Sequence, residues 1–140
     1  MPTKRGSAEW KGEIRTGQGT VSTETGALKA HPYGFRSRFE DGPGTNPEEL
    51  IGAAHAACFS MALSMMLAEA GVSDVTIATE AAVTIEKQGE GFAITRSALT
   101  SRVQGTGDEA AIRKAAENAK AGCPVSKVLN CDISLDLTVG

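Results

Sequence analysis

Two cysteines lie in sequence surroundings that could support thiol chemistry. Most near neighbours of Cys58 are small (Ala56, Ala57 and Ser60), which permits another group to approach the sulfur closely, and His55 precedes it by three positions. On a helix this spacing places the two side chains next to each other, where the imidazole could lower the pKa of the thiol. The same positions also suit a small buried cysteine and a hydrogen-bonded core histidine. Helical periodicity alone does not distinguish a reactive Cys58 from a buried one.

The second candidate, Cys123, stands between Gly122 and Pro124, just past the end of a predicted helix. Because a following proline disfavours helical geometry, Cys123 is expected to have an extended backbone and to lie outside the helix. Such a position suits a reactive thiol, but a cysteine with no chemical role can equally occur there. The residues therefore give two candidate reactive cysteines that are far apart in sequence, and no pattern shows that they meet.

The third cysteine, Cys131, is in register with alternating apolar residues in the last segment: Ile133, Leu135, Leu137 and Val139. A final strand with these side chains on one face would point the Cys131 thiol into the core. We expect a packed, unreactive thiol there, because a free cysteine packs as a small apolar residue.

Other kinds of site are less well supported by the sequence. His55 and Cys58 have the spacing of half a zinc site, but no CxxC motif or second close His/Cys pair completes four ligands, so no metal is expected. A serine hydrolase needs a Ser-His-Asp arrangement, for which only His31 and His55 are available. A non-catalytic module that binds an apolar ligand or a partner stays an alternative. Cys123 distinguishes it from an enzyme, because a binding module has no need of a second cysteine.

A long apolar helix is expected in the middle of the chain. Asn46 suits its N-cap, Pro47 its first helical position, and Glu49 stands three residues after the cap. Residues 50–68 are mostly Ala, Leu, Met, Ile and other small residues, and Gly71 suits the stop. A helix that is apolar on most sides is buried on most sides. Its surplus apolar surface indicates a partner subunit.

The other segments predict strands and a second helix, an α+β order with helices packed on antiparallel sheet. Phe35 and Phe39 alternate with Arg36 and Arg38, so a strand here would place both arginines on one face. Thr106 begins a capping-box pattern that opens the second helix. Strands are expected at residues 7–14, 20–24, 75–87, 92–103 and 131–139, with a hairpin turn at 88–91 and the apolar face of the second helix at Ile112, Ala115, Ala116 and Ala119.

Composition and charge argue against nucleic acid and membrane as partners. The chain has 140 residues, a formal net charge of −3 and only 4% aromatic residues. It therefore lacks both a strongly basic surface and a stacking platform for single strands. We expect no stretch long and apolar enough to span a bilayer, and the N-terminus lacks the apolar region of a signal peptide. The expectation is a single domain over residues 1–140 in the cytoplasm, where cysteines stay reduced.

Residues 44–60, GTNPEELIGAAHAACFS, and residues 121–129, AGCPVSKVL, closely resemble the core signature of the osmotically inducible protein C (OsmC) family. Residues 32–35, PYGF, and 38–40, RFE, resemble the N-terminal part of the OsmC branch of that family. The resemblance covers essentially the whole chain in the same element order. It implies a two-layer α+β fold in which antiparallel sheets pack around a long central helix. It also implies an intertwined homodimer with two active sites at the subunit interface.

The resemblance further implies an activity. Members of the family are thiol-dependent peroxidases that reduce organic hydroperoxides to alcohols, and hydrogen peroxide more weakly, in defence against oxidative and osmotic stress. The implied partners are a second copy of the chain, a small hydroperoxide substrate and an external dithiol reductant. No cofactor is implied.

Site residues are carried over from the resemblance by motif. Cys58 would be the peroxidatic cysteine and Cys123 the resolving one, and the two would form a disulfide during turnover. Arg38 would hold the thiolate and orient the peroxide, and Glu48 would orient that arginine. Glu48 is chosen over Glu49 because the acidic residue of the family stands ten positions before the cysteine.

Helix geometry restricts how these residues can meet. On one straight helix, Glu48 and Cys58 would be ~15 Å apart along the axis and about 80° apart around it, too far to share a site. Either the helix bends or starts late near Gly52, or the Glu48–Arg38 pair reaches the thiol from elsewhere, such as the other subunit. Arg36 stays open as an alternative to Arg38, because both lie on the same face of the predicted strand.

Overall fold

The computed structural model describes every residue from Met1 to Gly140 and has the predicted α+β class, with two three-stranded sheets and one long helix. The chain divides into two compact units, Met1–Leu50 and Ile51–Gly140. The long helix, Pro47–Glu69, begins in the first unit and continues in the second. The single domain expected over residues 1–140 stays a prediction.

An antiparallel sheet lies in the N-terminal unit, with β1 (Gly6–Lys11), β2 (Gln18–Thr23) and β3 (His31–Tyr33) in the order β1-β2-β3. Trp10 and Tyr33 flank Gly19 of β2 on its two neighbouring strands, and their ring centroids are 5.5 Å apart. A side chain at Gly19 would collide with both rings, so glycine allows them to pack together. The strands predicted at 7–14 and 20–24 are confirmed apart from their ends.

The strand predicted around the two arginines is wrong, because Phe35–Phe39 form a short helix, α1. The Ser37 hydroxyl accepts a hydrogen bond from the Gly34 N–H at 2.9 Å and donates one to the Gly34 carbonyl at 3.1 Å, which fixes the first turn. Phe35 and Phe39 would lie on the same face of a strand, but they are also i,i+4 neighbours on a helix, where their ring centroids are 5.1 Å apart. Five residues are too few for the sequence pattern to separate the two periods.

The long helix, α2 (Pro47–Glu69), starts and stops where the sequence predicts. The Asn46 side chain accepts the Glu49 N–H at 2.8 Å and caps the helix. Glu49 does not complete a capping box; its carboxylate accepts the Thr45 hydroxyl at 2.6 Å instead. At the other end Gly71 has φ +79°, the left-handed conformation that commonly terminates a helix.

Helix α2 runs unbroken past Gly52, so the late start that was one of the alternatives there is wrong. Gly52 is buried, and a β-carbon at this position would lie 2.8 Å from the carbonyl oxygen of Ala81. The glycine therefore serves close packing of the helix against a strand backbone, a role that needs no break in the helix.

The sheet of the C-terminal unit is mixed. The predicted hairpin is confirmed as β4 (Ser73–Gln88) and β5 (Gly91–Thr106), antiparallel and joined through Gly89 and Glu90. The last strand, β6 (Asp132–Val139), lies parallel to β5. The expectation of purely antiparallel sheets is therefore wrong for this strand. Two helices, α3 (Glu109–Gly122) and α4 (Pro124–Val128), form the crossover that a parallel pair requires.

Helix α3 is capped by Asp108 rather than by Thr106 of the predicted capping box. The Asp108 carboxylate accepts the Ala111 N–H at 3.2 Å, whereas Thr106 is still paired in β5. The predicted apolar face of α3 is confirmed, because all four of its residues are buried. They join α2, β5 and Cys123 in one apolar core: Phe59, Leu63, Leu67, Val72, Leu99, Val103, Ile112, Ala115, Ala116, Ala119 and Cys123.

Helix α2 is also long and apolar enough to cross a bilayer by length and composition, contrary to the expectation from the sequence. Its mean hydropathy reaches 1.7 over an 18-residue window. Phe59, Leu63 and Leu67 of this helix are nevertheless fully buried in the core of the C-terminal unit. Filling that core accounts for only part of the apolar composition, since 28% of the window is buried, and one helix of suitable length and composition is weak support for a membrane span.

Candidate functional site

The two candidate cysteines meet in the C-terminal unit although they are far apart in sequence. Cys58 lies on α2, and Cys123 lies between α3 and α4 as the N-cap of α4. Cys123 has φ −66° and ψ 143°, the extended backbone predicted from the proline that follows it. The segment that follows Cys123 reaches Cys58, because the Val125 N–H donates to the Cys58 sulfur at 3.5 Å, and the neighbouring Cys123 thiol helps raise the pKa of Cys58. The structure therefore supplies the juxtaposition that the residues alone could not.

The two sulfurs differ in exposure and in backbone contacts. Cys58 is half-buried, whereas Cys123 is fully buried. The Val125 N–H donates to the Cys58 sulfur at 3.5 Å, and the Ser126 N–H donates to the Cys123 sulfur at 3.4 Å. A small oxidant can thus approach Cys58 but not Cys123. This asymmetry suits a pair in which one thiol attacks a substrate and the other reacts only with its partner.

The environment within one chain raises the pKa of the Cys58 thiol above its ordinary value. Burial is the largest cause, since it penalises the thiolate. The Val125 N–H acts in the opposite direction, and the neighbouring Cys123 thiol raises the pKa further. Because only the thiolate attacks peroxides, this arrangement calls for a cation beside Cys58 before it can react at neutral pH.

His55 is a buried, hydrogen-bonded residue and not an immediate partner of Cys58. Its Nδ1 lies 2.6 Å from the Ser97 hydroxyl and its Nε2 lies 2.8 Å from the Ser126 hydroxyl. Burial lowers the pKa of the imidazole below its ordinary value of 6.5. The core interpretation of His55 is therefore the correct one. Sequence reasoning missed both serines, and the only local signal was the position of Ser126 three residues after Cys123.

We expect His55 to make folding stability depend on pH. Its pKa is lowered in the folded state, so the unfolded chain binds a proton first as the pH falls below 6.5. The contribution of the neutral ring is fully present above that value and is lost as the pH falls towards the lowered pKa. Urea unfolding at several pH values between about 7.5 and about 5.5 should show the decline.

The same substitution at the other histidine, His31, provides the control for the fall in folding stability at low pH. His55→Gln should flatten the decline, whereas His31→Gln should leave it in place, because His31 is exposed. An unchanged decline in His55→Gln would show that other groups cause it.

In the N-terminal unit, Arg38 and Glu48 form a bidentate ion pair. The Arg38 Nε and Nη2 atoms each lie 3.1 Å from a different carboxylate oxygen of Glu48. The Glu48 side chain is 8% exposed and that of Arg38 is 37% exposed. The fork uses two of the five guanidinium N–H donors and holds the plane of the group fixed. The remaining donors are thus presented in a set orientation to a ligand.

The alternatives to this pair have different surroundings. Arg36 forms an exposed ion pair with Glu40 at 3.6 Å on the same short helix. Glu49 accepts the Thr45 hydroxyl instead of an arginine. The geometry therefore favours Arg38 and Glu48 as the preorganised pair.

Each of the two pairs lies within one unit, Arg38 with Glu48 in the first and Cys58 with Cys123 in the second. Glu48 and Cys58 stand on the same unbroken helix, ten residues apart. An α-helix separates such positions by ~15 Å along its axis and turns them to different faces. The spacing along α2 therefore does not place Glu48 beside Cys58.

Other features lie outside these pairs. Cys131 precedes β6 and is half-buried, so its core position is only partly realised. A cavity of about 1250 Å³ lies in the N-terminal unit and is lined by Trp10, Tyr33 and Phe35 among others, with neither Cys58 nor Cys123. No group of three or more His, Cys, Asp or Glu side chains is arranged to hold a metal ion.

Residues 40–138 match the model of a family described as OsmC-like protein. Peroxiredoxin OsmC of Escherichia coli (strain K12) is 58% identical to the chain over 134 residues, which cover 95% of this chain and 94% of that protein. Organic hydroperoxide resistance protein-like 2 of Staphylococcus epidermidis is 32% identical over 103 residues, 71% of each.

Solved structures show the same fold. The organic hydroperoxide resistance protein OhrB of Bacillus subtilis superposes with a TM-score of 0.67 over 97% of this chain and 98% of that one, at 23% identity. An OsmC-like protein of unknown function from Vibrio cholerae has a TM-score of 0.71 at 16% identity, over 98% of this chain and 99% of that one. With the family match over residues 40–138 and the 58% identity to a curated relative, the chain belongs to the OsmC-like protein family.

Proposed function

We propose that this protein is a thiol peroxidase that reduces organic hydroperoxides to alcohols, with Cys58 as the attacking thiol and Cys123 as the resolving thiol. The observation that carries the proposal is that one short segment hydrogen-bonds both sulfurs, the Val125 N–H to the half-buried Cys58 and the Ser126 N–H to the fully buried Cys123. Membership of the OsmC-like family and the name of the relative from E. coli, a peroxiredoxin, support the same activity. A non-catalytic binding module would have no use for the second thiol.

The reaction has three steps. The Cys58 thiolate attacks the terminal oxygen of the hydroperoxide, the O–O bond breaks, and the departing alkoxide takes up a proton and leaves as an alcohol. Cys58 is thereby oxidised to a sulfenic acid. Cys123 then displaces the sulfenic oxygen as water and forms the Cys58–Cys123 disulfide. An external dithiol exchanges with this disulfide, becomes oxidised itself and returns both cysteines to thiols.

The Arg38–Glu48 pair supplies the cation that this chemistry needs. A guanidinium beside Cys58 would lower the pKa of the thiol, opposing the rise caused by burial, and would donate to the peroxide oxygens. Because the spacing along α2 does not place Glu48 beside Cys58, we assign the pair of one subunit to the Cys58 of a partner subunit. The active protein is therefore a homodimer with two composite sites.

The surface of α2 supports a second copy of the chain as its partner. Ala53, Ala57, Met61 and Met65 stand four residues apart along one side of the helix and are exposed in the single chain. Met61 is 76% exposed and Met65 is 56% exposed. An apolar strip of this kind is costly to leave in water, and packing against another subunit would bury it.

The proposed substrate and setting follow from the relatives. The relative from S. epidermidis is named as an organic hydroperoxide resistance protein, which supports organic hydroperoxides over hydrogen peroxide as the preferred substrate. We place the reaction in the cytoplasm, in defence against oxidative and osmotic stress, where a reducing environment returns the disulfide to thiols.

The test is turnover of tert-butyl hydroperoxide, compared with hydrogen peroxide, by the native protein with a dithiol reductant. Consumption of the organic peroxide should be faster. Mass spectrometry after one equivalent of peroxide without reductant should find a Cys58–Cys123 disulfide. If the protein neither consumes peroxide nor forms the disulfide, the proposal is contradicted. Consumption of peroxide without the disulfide would contradict the role of Cys123.

A further inference from the structure

A buried string of side chains connects the resolving thiol to a histidine that the proposed reaction does not use. The Cys123 sulfur lies 3.0 Å from the Ser126 hydroxyl, which lies 2.8 Å from Nε2 of His55. The Nδ1 atom of the same ring lies 2.6 Å from the Ser97 hydroxyl. Cys123, His55 and Ser97 are fully buried, and Ser126 is 7% exposed. The string therefore continues from a reacting sulfur through the core without solvent.

The resolving step needs a proton acceptor at this place. The nucleophile that attacks the sulfenic acid is a thiolate, so Cys123 must give up its proton before or during attack. Cys123 is fully buried, and its polar contacts are Ser126 and Cys58. Of these, only the Ser126 hydroxyl is hydrogen-bonded to a base, the His55 ring. Water, the usual acceptor for an exposed thiol, does not reach the sulfur.

The neutral His55 ring can be that base. A neutral imidazole has one N–H donor and one bare nitrogen acceptor, and burial favours this form. With the proton on Nδ1 directed to Ser97, Nε2 accepts from the Ser126 hydroxyl. Ser126 in turn accepts from the Cys123 S–H. A hydroxyl can donate and accept at once, so a proton can pass from sulfur to ring by an exchange at Ser126.

We propose that Ser126 is a catalytic residue of the resolving step and that His55 is the positioning and proton-storing residue behind it. As the S–S bond forms and the S–O bond of the Cys58 sulfenic acid breaks, the Cys123 proton passes through Ser126 to His55. The departing hydroxide leaves on the opposite side of the half-buried Cys58 sulfur and takes up a proton from solvent to become water, and His55 afterwards releases the proton it holds, so the protons balance. The thiolate formed in between accepts from both the hydroxyl and the N–H of Ser126. No electron donor beyond the two cysteines is involved, because the sulfenic sulfur is reduced as Cys123 is oxidised.

This inference rests on the proposed function, and a second buried network provides its control. The hydroxyls of Ser60, Thr79 and Ser101 form a similar string, with distances of 2.8 Å and 3.0 Å, between α2, β4 and β5. Ser101 is 1% exposed, and none of the three hydroxyls hydrogen-bonds to a cysteine. Removing either serine hydroxyl disturbs a buried hydrogen bond, but only Ser126 would alter the resolving step.

The experiment mixes the reduced native protein with one equivalent of tert-butyl hydroperoxide and no reductant. It follows peroxide loss and, by rapid alkylation and mass spectrometry, disulfide formation. In Ser126→Ala and His55→Gln, disulfide formation should slow about 100-fold relative to peroxide loss, the lower range for general acid–base catalysis. Sulfenic acid should accumulate and, with excess peroxide, over-oxidise. Ser126→Thr, which keeps the hydroxyl, should restore the rate, and Ser101→Ala should form the disulfide at the native rate.

The outcomes separate the two proposals. Native protein that consumes no peroxide would overturn the proposed function and this inference with it. Native protein that forms the disulfide, with Ser126→Ala equally fast, would overturn the relay alone. Slow disulfide formation in Ser126→Thr and Ser101→Ala as well as in Ser126→Ala would assign the effect to general loss of packing, which also contradicts the relay. If Ser126→Ala does not fold, the other two variants decide. Slow disulfide formation in His55→Gln with the native rate in Ser126→Thr supports the relay, and the native rate in His55→Gln contradicts it.

Discussion

Replacement of Cys58 by serine should abolish peroxide consumption, because a serine hydroxyl is far too weakly acidic and nucleophilic to attack a peroxide at neutral pH. The residual rate should be that of peroxide with the dithiol alone. Cys123→Ser should still consume the first equivalent, since Cys58 is the thiol that the oxidant can reach. Without its resolving partner, however, Cys58 should pass from sulfenic to sulfinic acid and lose activity within a few turnovers.

The third cysteine gives the matched control for this experiment. Cys131→Ser makes the same chemical change at a half-buried thiol outside the pair, so turnover should stay within about twofold of native, as for a substitution away from a functional feature. The measurements are steady-state peroxide consumption and the intact mass after treatment with excess peroxide. Full activity in Cys58→Ser, or loss of activity in Cys131→Ser equal to that in Cys58→Ser, would contradict the assignment.

The sequence predicts the elements that carry the cysteines because their signals are local. The cap at Asn46, the stop at Gly71 and the extended backbone of Cys123 each depend on a residue and its near neighbours, and all three are found. The strand prediction for the segment around Arg36 and Arg38 is wrong for a local reason as well. Its five residues fit one turn of helix as well as a short strand, and the Ser37–Gly34 hydrogen bonds decide between them.

The candidate site is less predictable because its contacts are long-range. Periodicity places Cys58 on a helix and Cys123 at a helix end, but 65 residues separate them and no spacing rule connects them. His55 similarly takes one partner from β5 and the other from α4, which are 42 and 71 residues away. Such contacts follow from how α2 packs against β5 and the crossover helices. The parallel placement of β6, which returns the chain past α3, is part of the same tertiary arrangement.

Arg38→Lys should slow the attack on peroxide about 100-fold or more, the loss typical when a preorganised donor to developing charge is removed. Lysine keeps the positive charge but cannot form the two-pronged contact with Glu48 or offer a planar set of donors to the peroxide. Lysine is also preferable to alanine here, because an unpaired Glu48 carboxylate, 8% exposed, would destabilise the fold. Arg36→Lys is the control, since its exposed ion pair contributes little. One readout is the rate at which the first equivalent of peroxide is lost. The other is the pKa of Cys58, measured by alkylation, and this pKa should be higher in Arg38→Lys.

Mixed dimers then identify the subunit that supplies the arginine. Subunits carrying Cys58→Ser and subunits carrying Arg38→Lys are each expected to be nearly inactive alone. When they are denatured together and refolded, one composite site of each mixed dimer combines a native Cys58 from one chain with a native Arg38 from the other. Recovery of up to about a quarter of native activity is then expected, because half of the dimers are mixed and each has one intact site. No recovery, with mixed dimers shown to form by mass spectrometry, would place Arg38 and Cys58 of the same chain in one site. That result would require α2 to bend or unwind between Glu48 and Cys58, against the unbroken helix seen here.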